Sequence, residues 1–260
     1  HVDLNGLLNG TARFGIDTEL PGMLHAMIER CPHPRGEIKS HDATEALKVD
    51  GVVKVFALSP TGRGWPLVGG RAITNAGVVV VARHTWAALQ GRRKLKIVWD
   101  LPENPEGSPE LNAKLEAALD REGKSYRSEG DIEAALASAP TKLTARYRTP
   151  FLVHAPMEPP ACTALVTDTG CEIWAPTQNP QRARSEAAKT LGLSESKVTV
   201  HVTLLGGGFG RKSQPDFVLE AVAIAAELKG KPVKLTWTRE DEIRHGFYHA
   251  ESAHRLDAGI

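Results

Sequence analysis

Four glycines occur in the five positions 206–210 of this 260-residue chain, in the order Gly-Gly-Gly-Phe-Gly. Glycine loses more conformational freedom on folding than any other residue, so such a run indicates a tight turn or a close approach of the backbone to another group. A β-branched stretch at 197–205 precedes the run and an apolar segment at 215–230 follows it, which predicts a strand, a loop and a buried helix. Phe209 stands where an ordinary turn would place Asn, Asp or Ser. The loop is therefore predicted to press its backbone against a ligand, with the Phe209 ring packed beneath it.

Two nucleotide-binding patterns fail on spacing, although a strand, a glycine loop and a helix can face backbone N–H groups toward an anion. The P-loop needs a glycine immediately before Lys-Ser, and Arg211 occupies that position here. The third glycine of the dinucleotide-binding pattern would fall on the same Arg211. Nucleotide binding is therefore the weakest functional hypothesis, and a plain glycine-rich turn stays an alternative for the loop alone.

Composition narrows the classes of partner. The formal net charge is +1 and no long block of like charge occurs, which argues against nucleic acid. No apolar run reaches the roughly 18 residues that span a bilayer, so no transmembrane segment is predicted. The three cysteines form no C-x-x-C pair, which favours buried, unreactive thiols over a metal or iron–sulfur site. The compartment stays open between periplasm and cytoplasm, and an upstream signal is not excluded because the chain begins with His1.

Hydrophobic periodicity predicts an α+β first unit at 1–105. The predicted strands lie at 22–30, 51–58, 77–83 and 94–99, and the predicted helices at 42–48 and 85–93. Asp42 is predicted to cap the first helix in a capping box with Glu45. Residues 106–142 are rich in Pro, Gly, acid and Ala, which predicts a linker with polar helices.

A second α+β unit is predicted at 143–260. The predicted strands lie at 143–148, 197–205 and 233–238, with a hairpin turning at 168–170. A helix is predicted with Asn179 as N-cap, Pro180 at its first position and Gly192 at its end. After Arg239 the pattern becomes charged and irregular, and the last residues read like the beginning of a strand.

The glycine loop belongs to an ordered series of four motifs. They are HAPMEPPACTAL at 154–165, WAPTQNPQ at 174–181, GGGFGRK at 206–212 and TREDEIRHGFYH at 238–249. This series resembles the molybdopterin-binding subunit of the xanthine oxidase family of molybdenum hydroxylases, and most closely its isoquinoline 1-oxidoreductase beta-subunit and aldehyde-oxidising branch. Residues 10–34 resemble the opening of that family's hammerhead domain. The fold expected from the resemblance is α+β: a hammerhead-like α/β domain followed by the first part of a molybdopterin-binding α+β domain, so that the chain looks like an internal or amino-terminal fragment.

The resemblance implies a pterin-bound molybdenum, in the cytosine dinucleotide form, that hydroxylates an aldehyde or N-heterocycle with oxygen from water. Electrons would pass to a [2Fe–2S] cluster on a small partner subunit, and the remainder of the large subunit or a second molybdopterin-binding chain would complete the enzyme. A non-catalytic subunit or interaction module that keeps the fold without cofactor is the alternative hypothesis.

The resemblance also implies which residues bind the cofactor. The glutamine of the T-Q-N motif, Gln178, would donate to an oxygen on the metal, which an amide can do without adding charge. Gly207, Gly208, Phe209 and Gly210 would pass their main chain beside the cofactor, where a Cβ would block the approach. No residue is expected to ligate the metal directly.

Departures from the family pattern restrict what the chain is expected to do. Ser213 stands where some purine-oxidising relatives have a glutamate, which puts purine recognition in doubt and leaves the substrate open. The family's catalytic glutamate motif has no match in 213–260, so no catalytic residue is assigned and the chain alone is expected to be inactive. Glu158 is expected to cap or pair locally, and His245, His249 and His254 are expected to be exposed.

Overall fold

The computed structural model describes residues 2–61, 74–104 and 107–260. Contacts divide the chain into two compact units, each made of two stretches. The first unit is His1–Pro102 with His154–Phe247, and the second is Glu103–Val153 with Tyr248–Ile260. The predicted boundary at residue 105 lies outside the described residues, so the division at 105 and 142 stays a prediction.

The described residues form strands and helices in mixed order. The strands are β1 (Leu24–Arg30), β2 (Glu37–Asp42), β3 (Val52–Leu58), β4 (Gly77–Ala82), β5 (Lys96–Asp100), β6 (Lys142–Thr149), β7 (Ala161–Val166), β8 (Cys171–Ala175), β9 (Val198–Val202), β10 (Val233–Thr236) and β11 (Ser252–Gly259). The helices are α1 (Leu4–Asn9), α2 (Thr44–Leu47), α3 (Thr85–Arg93), α4 (Ser108–Ala118), α5 (Ile132–Ser138), α6 (Pro180–Leu191), α7 (Asp216–Ala226) and α8 (Arg239–His245). The predicted α+β class is confirmed.

A seven-stranded sheet is the frame of the first unit, with the strand order β3-β4-β1-β10-β7-β8-β9. β1 pairs with β10 in parallel, in the register Leu24 to Val233, and β8 pairs with β9 in parallel. The other neighbours in this sheet are antiparallel. β2 and β5 form a separate two-stranded sheet. The large sheet therefore takes strands from both ends of the sequence.

Helices α6 and α7 bury the side of the sheet that holds the main core. α7 packs against β7 and α6, and its side chains are almost all buried, as its apolar sequence predicts. α6 begins and ends as predicted, because the Asn179 side chain accepts from Arg182 N and Gly192 adopts the left-handed conformation. On α3, Gly91 lies so close to β4 that a Cβ would sit 2.9 Å from Val80 Cγ1.

The second unit is built on the antiparallel pair β6 and β11, which runs in register from Lys142 with Gly259 to Thr149 with Ser252. Helices α4 and α5 pack on β11. Arg146 of β6 reaches Asp120 just after α4, with 2.6 Å between Nη2 and Oδ1. The strand predicted for the last residues is confirmed as β11.

Three features differ from the sequence-based expectation. The helix at 44–47 is capped at Ala43 and not at Asp42, because Asp42 belongs to β2 and its carboxylate accepts from Thr44 N. The strand β2 was not predicted, since its exposed polar sequence lacks an apolar alternation. The charged stretch after Thr238 forms α8, where Thr238 and Asp241 make a capping box.

The expectation for the cysteines is met. All three cysteines are free and buried, and burial raises the pKa of the Cys171 thiol to about 12. Within the described parts of the chain, no helix is both long and apolar enough to cross a bilayer.

Buried ion pairs join the elements of the first unit. Arg30 of β1 donates to both carboxylate oxygens of Glu220 on α7, at 2.8 and 2.6 Å, and Trp237 Nε1 donates to the same carboxylate at 2.8 Å. Arg92 of α3 makes a similar two-bond contact with Asp241 of α8, at 2.7 Å for each bond. Both carboxylates are about 1% exposed. A buried charge is costly unless it is paired, so these contacts hold α7 on β1 and α3 on α8.

His245 lies at the end of α8 beside this charge network and is half-buried, so the prediction that it is exposed is wrong. Burial lowers the pKa of its imidazole to about 4, and Arg30 contributes to the same shift. The folded-state pKa is therefore below the unfolded value of about 6.5. This linkage stabilises the fold above pH 6.5 and is lost as the pH falls toward 4.

We predict that His245→Gln flattens the acid limb of the stability profile. Between pH 7 and pH 5 the wild type should lose about 1–2 kcal/mol more than the variant, since only its unfolded state gains a proton at position 245. Urea unfolding at the two pH values measures this difference. His41→Gln, at an exposed position, is the control and should keep the wild-type slope. Equal slopes for wild type and His245→Gln would contradict the prediction.

Candidate functional site

The glycine loop and the Gln178 turn lie against each other in the first unit. Gln178 follows β8, and its main-chain N donates to Lys212 O at 3.0 Å. Its side-chain Oε1 accepts from Gly210 N at 3.1 Å. Gly208 is the closest approach, because a Cβ there would sit 2.4 Å from Gln178 Oε1. Two segments that the sequence separates by about thirty residues therefore form one surface.

Backbone conformation explains the glycines on either side of Phe209. Gly207 has φ of +93° and Gly210 has φ of +95°, values that residues with a Cβ rarely adopt. Phe209 itself has a φ of +53°, which is uncommon for a bulky residue and indicates local strain. Position 206 needs a glycine for another reason, since a Cβ there would lie 2.5 Å from Glu158 Cβ.

Phe209 does not occupy the predicted position beneath the loop. Its side chain is 68% exposed, on the open side of the loop, where Gln178 and Gly210 are also exposed. The left-handed backbone at Phe209 turns the ring outward, which periodicity in the sequence does not reveal.

The glycine loop and Gln178 hold hydrogen-bond donors that have no acceptor among the described residues. Among the described residues, none accepts a hydrogen bond from the N–H groups of Gly207, Gly208 or Phe209. The Gln178 amide is assigned with its oxygen on Gly210, which leaves its nitrogen as a donor, and no described residue accepts from it. Successive backbone N–H groups with left-handed residues between them form concavities that suit anions and oxygen-rich groups. The arrangement can therefore bind such a group without a charged side chain.

Glu158 lies beneath the loop and joins three segments. Its Oε2 accepts from Lys212 Nζ at 2.6 Å and from Gly206 N at 3.0 Å, and its Oε1 accepts from Ile16 N at 3.1 Å. Its main-chain N donates to Gly206 O at 2.9 Å. The sequence analysis expected Glu158 to cap or pair locally. Its carboxylate instead bonds to residues that are far away in the sequence. Lys212 was not predicted as part of this site; a lysine two residues after the glycine run was the available signal.

The basic residues that follow the loop turn inward. Arg211 is 1% exposed and donates to both oxygens of Asp216, at 2.8 and 2.6 Å. Its guanidinium lies between the Trp237 and Phe247 rings, with centroids 5.3 and 5.6 Å away. Lys212 is fully buried, and burial lowers the pKa of its ammonium although Glu158 opposes that shift. Neither cation faces the open side of the loop, in contrast to the lysine of a P-loop.

His154 lies near the glycine loop and is bound to the main chain. His154 fixes its Nδ1 on Phe247 O at 3.0 Å, and its Nε2 lies 3.9 Å from where a Cβ of Gly210 would be. Within the described ranges, no group of three or more His, Cys, Asp or Glu side chains is placed to hold a metal ion.

We predict that Gly208→Ala displaces the Gln178 side chain, because the new methyl group overlaps Oε1, and destabilises the fold by about 0.5–1.5 kcal/mol through loss of the Gln178–Gly210 hydrogen bond. Urea unfolding measures the loss. Gly123→Ala is the matched control, since a Cβ there meets nothing within 4 Å and its φ is not positive. Equal stabilities for the two variants would contradict the predicted close contact.

The chain is similar to known proteins in sequence and in fold. The molybdopterin cofactor-binding domain family matches residues 118–260. A membrane-bound aldehyde dehydrogenase (pyrroloquinoline-quinone) of Gluconacetobacter polyoxogenes is 31% identical over 98% of this chain. Isoquinoline 1-oxidoreductase subunit beta of Brevundimonas diminuta is 28% identical over 99% of it.

Solved structures show the same fold at lower identity. The aldehyde oxidoreductase from Desulfovibrio gigas superposes on 99% of this chain with a TM-score of 0.80 and 19% identity. Quinoline 2-oxidoreductase from Pseudomonas putida 86 covers 99% with a TM-score of 0.75 and 22% identity. This chain spans about a third of the length of these relatives, 32% for both sequence relatives and for the Desulfovibrio enzyme. The family match covers more than half of the chain, and the chain therefore belongs to the molybdopterin cofactor-binding domain family, within the xanthine oxidase family of molybdenum hydroxylases that its motif series resembles.

Proposed function

We propose that this chain forms one wall of the molybdopterin site of a molybdenum hydroxylase that oxidises an aldehyde or an N-heterocycle with water-derived oxygen. The single observation that carries the proposal is the Gln178 amide held on the glycine loop by Gly210 N at 3.1 Å. Family membership and the two sequence relatives, named as an aldehyde dehydrogenase and an isoquinoline 1-oxidoreductase, support the same reaction class.

Gln178 has the properties that a neutral donor beside the cofactor needs. Its Oε1 already accepts from Gly210 N, and its side-chain nitrogen, which has no described acceptor, is available to donate. The turn that carries it is held at both its main chain and its Thr177 side chain, which donates to Lys212 O at 3.2 Å. Such preorganisation lets a donor act without first rearranging.

Gly207, Gly208, Phe209 and Gly210 would pass their main chain beside the cofactor. The N–H of Gly210 is already bound to Gln178 Oε1, so the donors would be the N–H groups of 207–209, for which no described residue is an acceptor. Gly208 is buried against Gln178, while Phe209 and Gly210 are exposed, so a ligand can reach the upper surface of the loop. The absence of side chains at the three glycines allows a large group to approach within hydrogen-bond distance of the backbone. When bound, the molybdenum cofactor would supply the two-electron oxidation at carbon, and these residues would bind and orient it.

The finer features of the proposed enzyme follow from the family resemblance. We propose the cytosine dinucleotide form of the cofactor, a small subunit that carries a [2Fe–2S] cluster, and further molybdopterin-binding residues from the remainder of the large subunit or from a second chain.

We predict that the complete native protein, purified from its host, contains stoichiometric molybdenum and releases CMP on acid hydrolysis. Metal analysis and chromatography of the released nucleotide measure both. Molybdenum without CMP would overturn the dinucleotide form alone. Pyrroloquinoline quinone in place of molybdenum, as in the name of the Gluconacetobacter relative, would overturn the proposal. A protein with neither cofactor would favour a non-catalytic module that keeps the fold.

We predict that Gln178→Glu lowers kcat about 100-fold, because the new side chain keeps an acceptor for Gly210 N but removes the donor and adds a negative charge. Steady-state oxidation of an aldehyde and of an N-heterocycle by the complete enzyme measures the effect. Gln181→Ala, three residues further along on the exposed surface of α6, is the control and should keep wild-type turnover. Wild-type kcat in Gln178→Glu would exclude Gln178 from the site.

A further inference from the structure

The Glu158–Lys212 ion pair lies where the glycine loop meets the rest of the first unit. The two side chains are 6% and 0% exposed, and 2.6 Å separates Oε2 from Nζ. The same carboxylate also accepts from Gly206 N, at the beginning of the loop, and from Ile16 N. Glu158 therefore binds both ends of the loop: Gly206 at its beginning and Lys212 at its end.

Lys212 also connects this pair to Gln178. Its main-chain oxygen accepts from Gln178 N at 3.0 Å and from Thr177 Oγ1 at 3.2 Å. The Lys212 ammonium group thus binds Glu158, and the Lys212 carbonyl group binds the Gln178 turn. A displacement of Lys212 would move Gln178 relative to Gly210.

The segment that carries Glu158 is itself held firmly. Ala155 N donates to Glu242 Oε1 at 3.1 Å, and Arg239 donates to Pro156 O and to Glu242 Oε2. Ala155 keeps a φ of +43°, a costly conformation that the surrounding contacts maintain. The Glu158 carboxylate is therefore a fixed reference point for the loop.

We propose that Glu158 and Lys212 are positioning residues, whose buried ion pair holds Gly206 and the Gln178 turn in the one geometry that retains the cofactor. This inference rests on the cofactor site proposed above and adds to it two residues that lie beneath the loop, away from its open side. Loss of the pair acts on the cofactor through the loop and not by contact.

A double substitution separates the effect of the ion pair on the position of the glycine loop from its effect on the stability of the fold. Glu158→Gln or Lys212→Met alone leaves one buried charge without its partner, which destabilises the fold. The double variant is neutral and removes that cost, so its thermal stability should return toward the wild-type value. The double variant cannot restore the contact between positions 158 and 212, since a glutamine has one acceptor oxygen and a methionine donates no hydrogen bond.

The experiment measures three quantities in the complete protein: the melting temperature, the molybdenum content per chain, and amide hydrogen exchange at Thr177, Gln178 and 206–212 in cofactor-free preparations. Both single variants should lower molybdenum content about 10-fold, the effect typical of residues that orient a metal site from behind. Exchange at the loop should become faster in both. The double variant should regain its melting temperature while its molybdenum content stays low and its loop exchange stays fast.

Val80→Ala is the control for destabilisation alone, because Val80 is a fully buried residue of β4 outside the loop. It should lower the melting temperature and leave molybdenum content and loop exchange unchanged. The inference is overturned if the double variant holds wild-type molybdenum, if Val80→Ala loses as much metal as the single variants, or if loop exchange is unchanged in them. A wild-type protein without molybdenum would instead refute the proposed function, and the exchange data would still decide whether the pair holds the loop.

Discussion

The parallel pairing of β1 with β10 is the contact on which the first unit depends. It joins Leu24 to Val233 and links the strands β3, β4 and β1 to the strands β10, β7, β8 and β9. The Arg30–Glu220 ion pair supports it from the side, since Arg30 is the last residue of β1 and Glu220 lies on α7. A parallel pair needs a long connection between its strands, and here residues 31–232 form that connection.

The candidate site follows from this pairing. The residues before β1 cross to the loop, where Phe14 bridges to Leu204 and Ile16 N donates to Glu158. Lys234 of β10 donates to Ile16 O at 2.8 Å and fixes the same crossing from the sheet. The sheet thereby brings an amino-terminal segment, the Glu158 segment and the glycine loop to one place.

The charged side chains near the loop stabilise it from within the fold, and the groups available to bind a ligand are uncharged backbone donors. Arg211 and Lys212 have buried carboxylate partners below the loop, while no described residue accepts from the backbone N–H groups of 207–209. Buried charges that are fully paired rigidify their surroundings, because any displacement would expose an uncompensated charge to a low dielectric. The loop can thus hold strained left-handed residues and still present fixed donors.

Local sequence determined the elements whose signals are short in range: the caps of α6 at Asn179 and Gly192, the hairpin of β7 and β8, and the buried helix α7. The motif series also placed Gln178 and the glycine loop in one predicted site. Only the tertiary structure decided that Glu158 pairs with Lys212, that Phe209 turns outward, and that β1 lies beside β10. Caps, turns and periodicity depend on neighbours a few residues away, whereas ion pairs and parallel strand pairing depend on which distant surfaces fit together when the core closes.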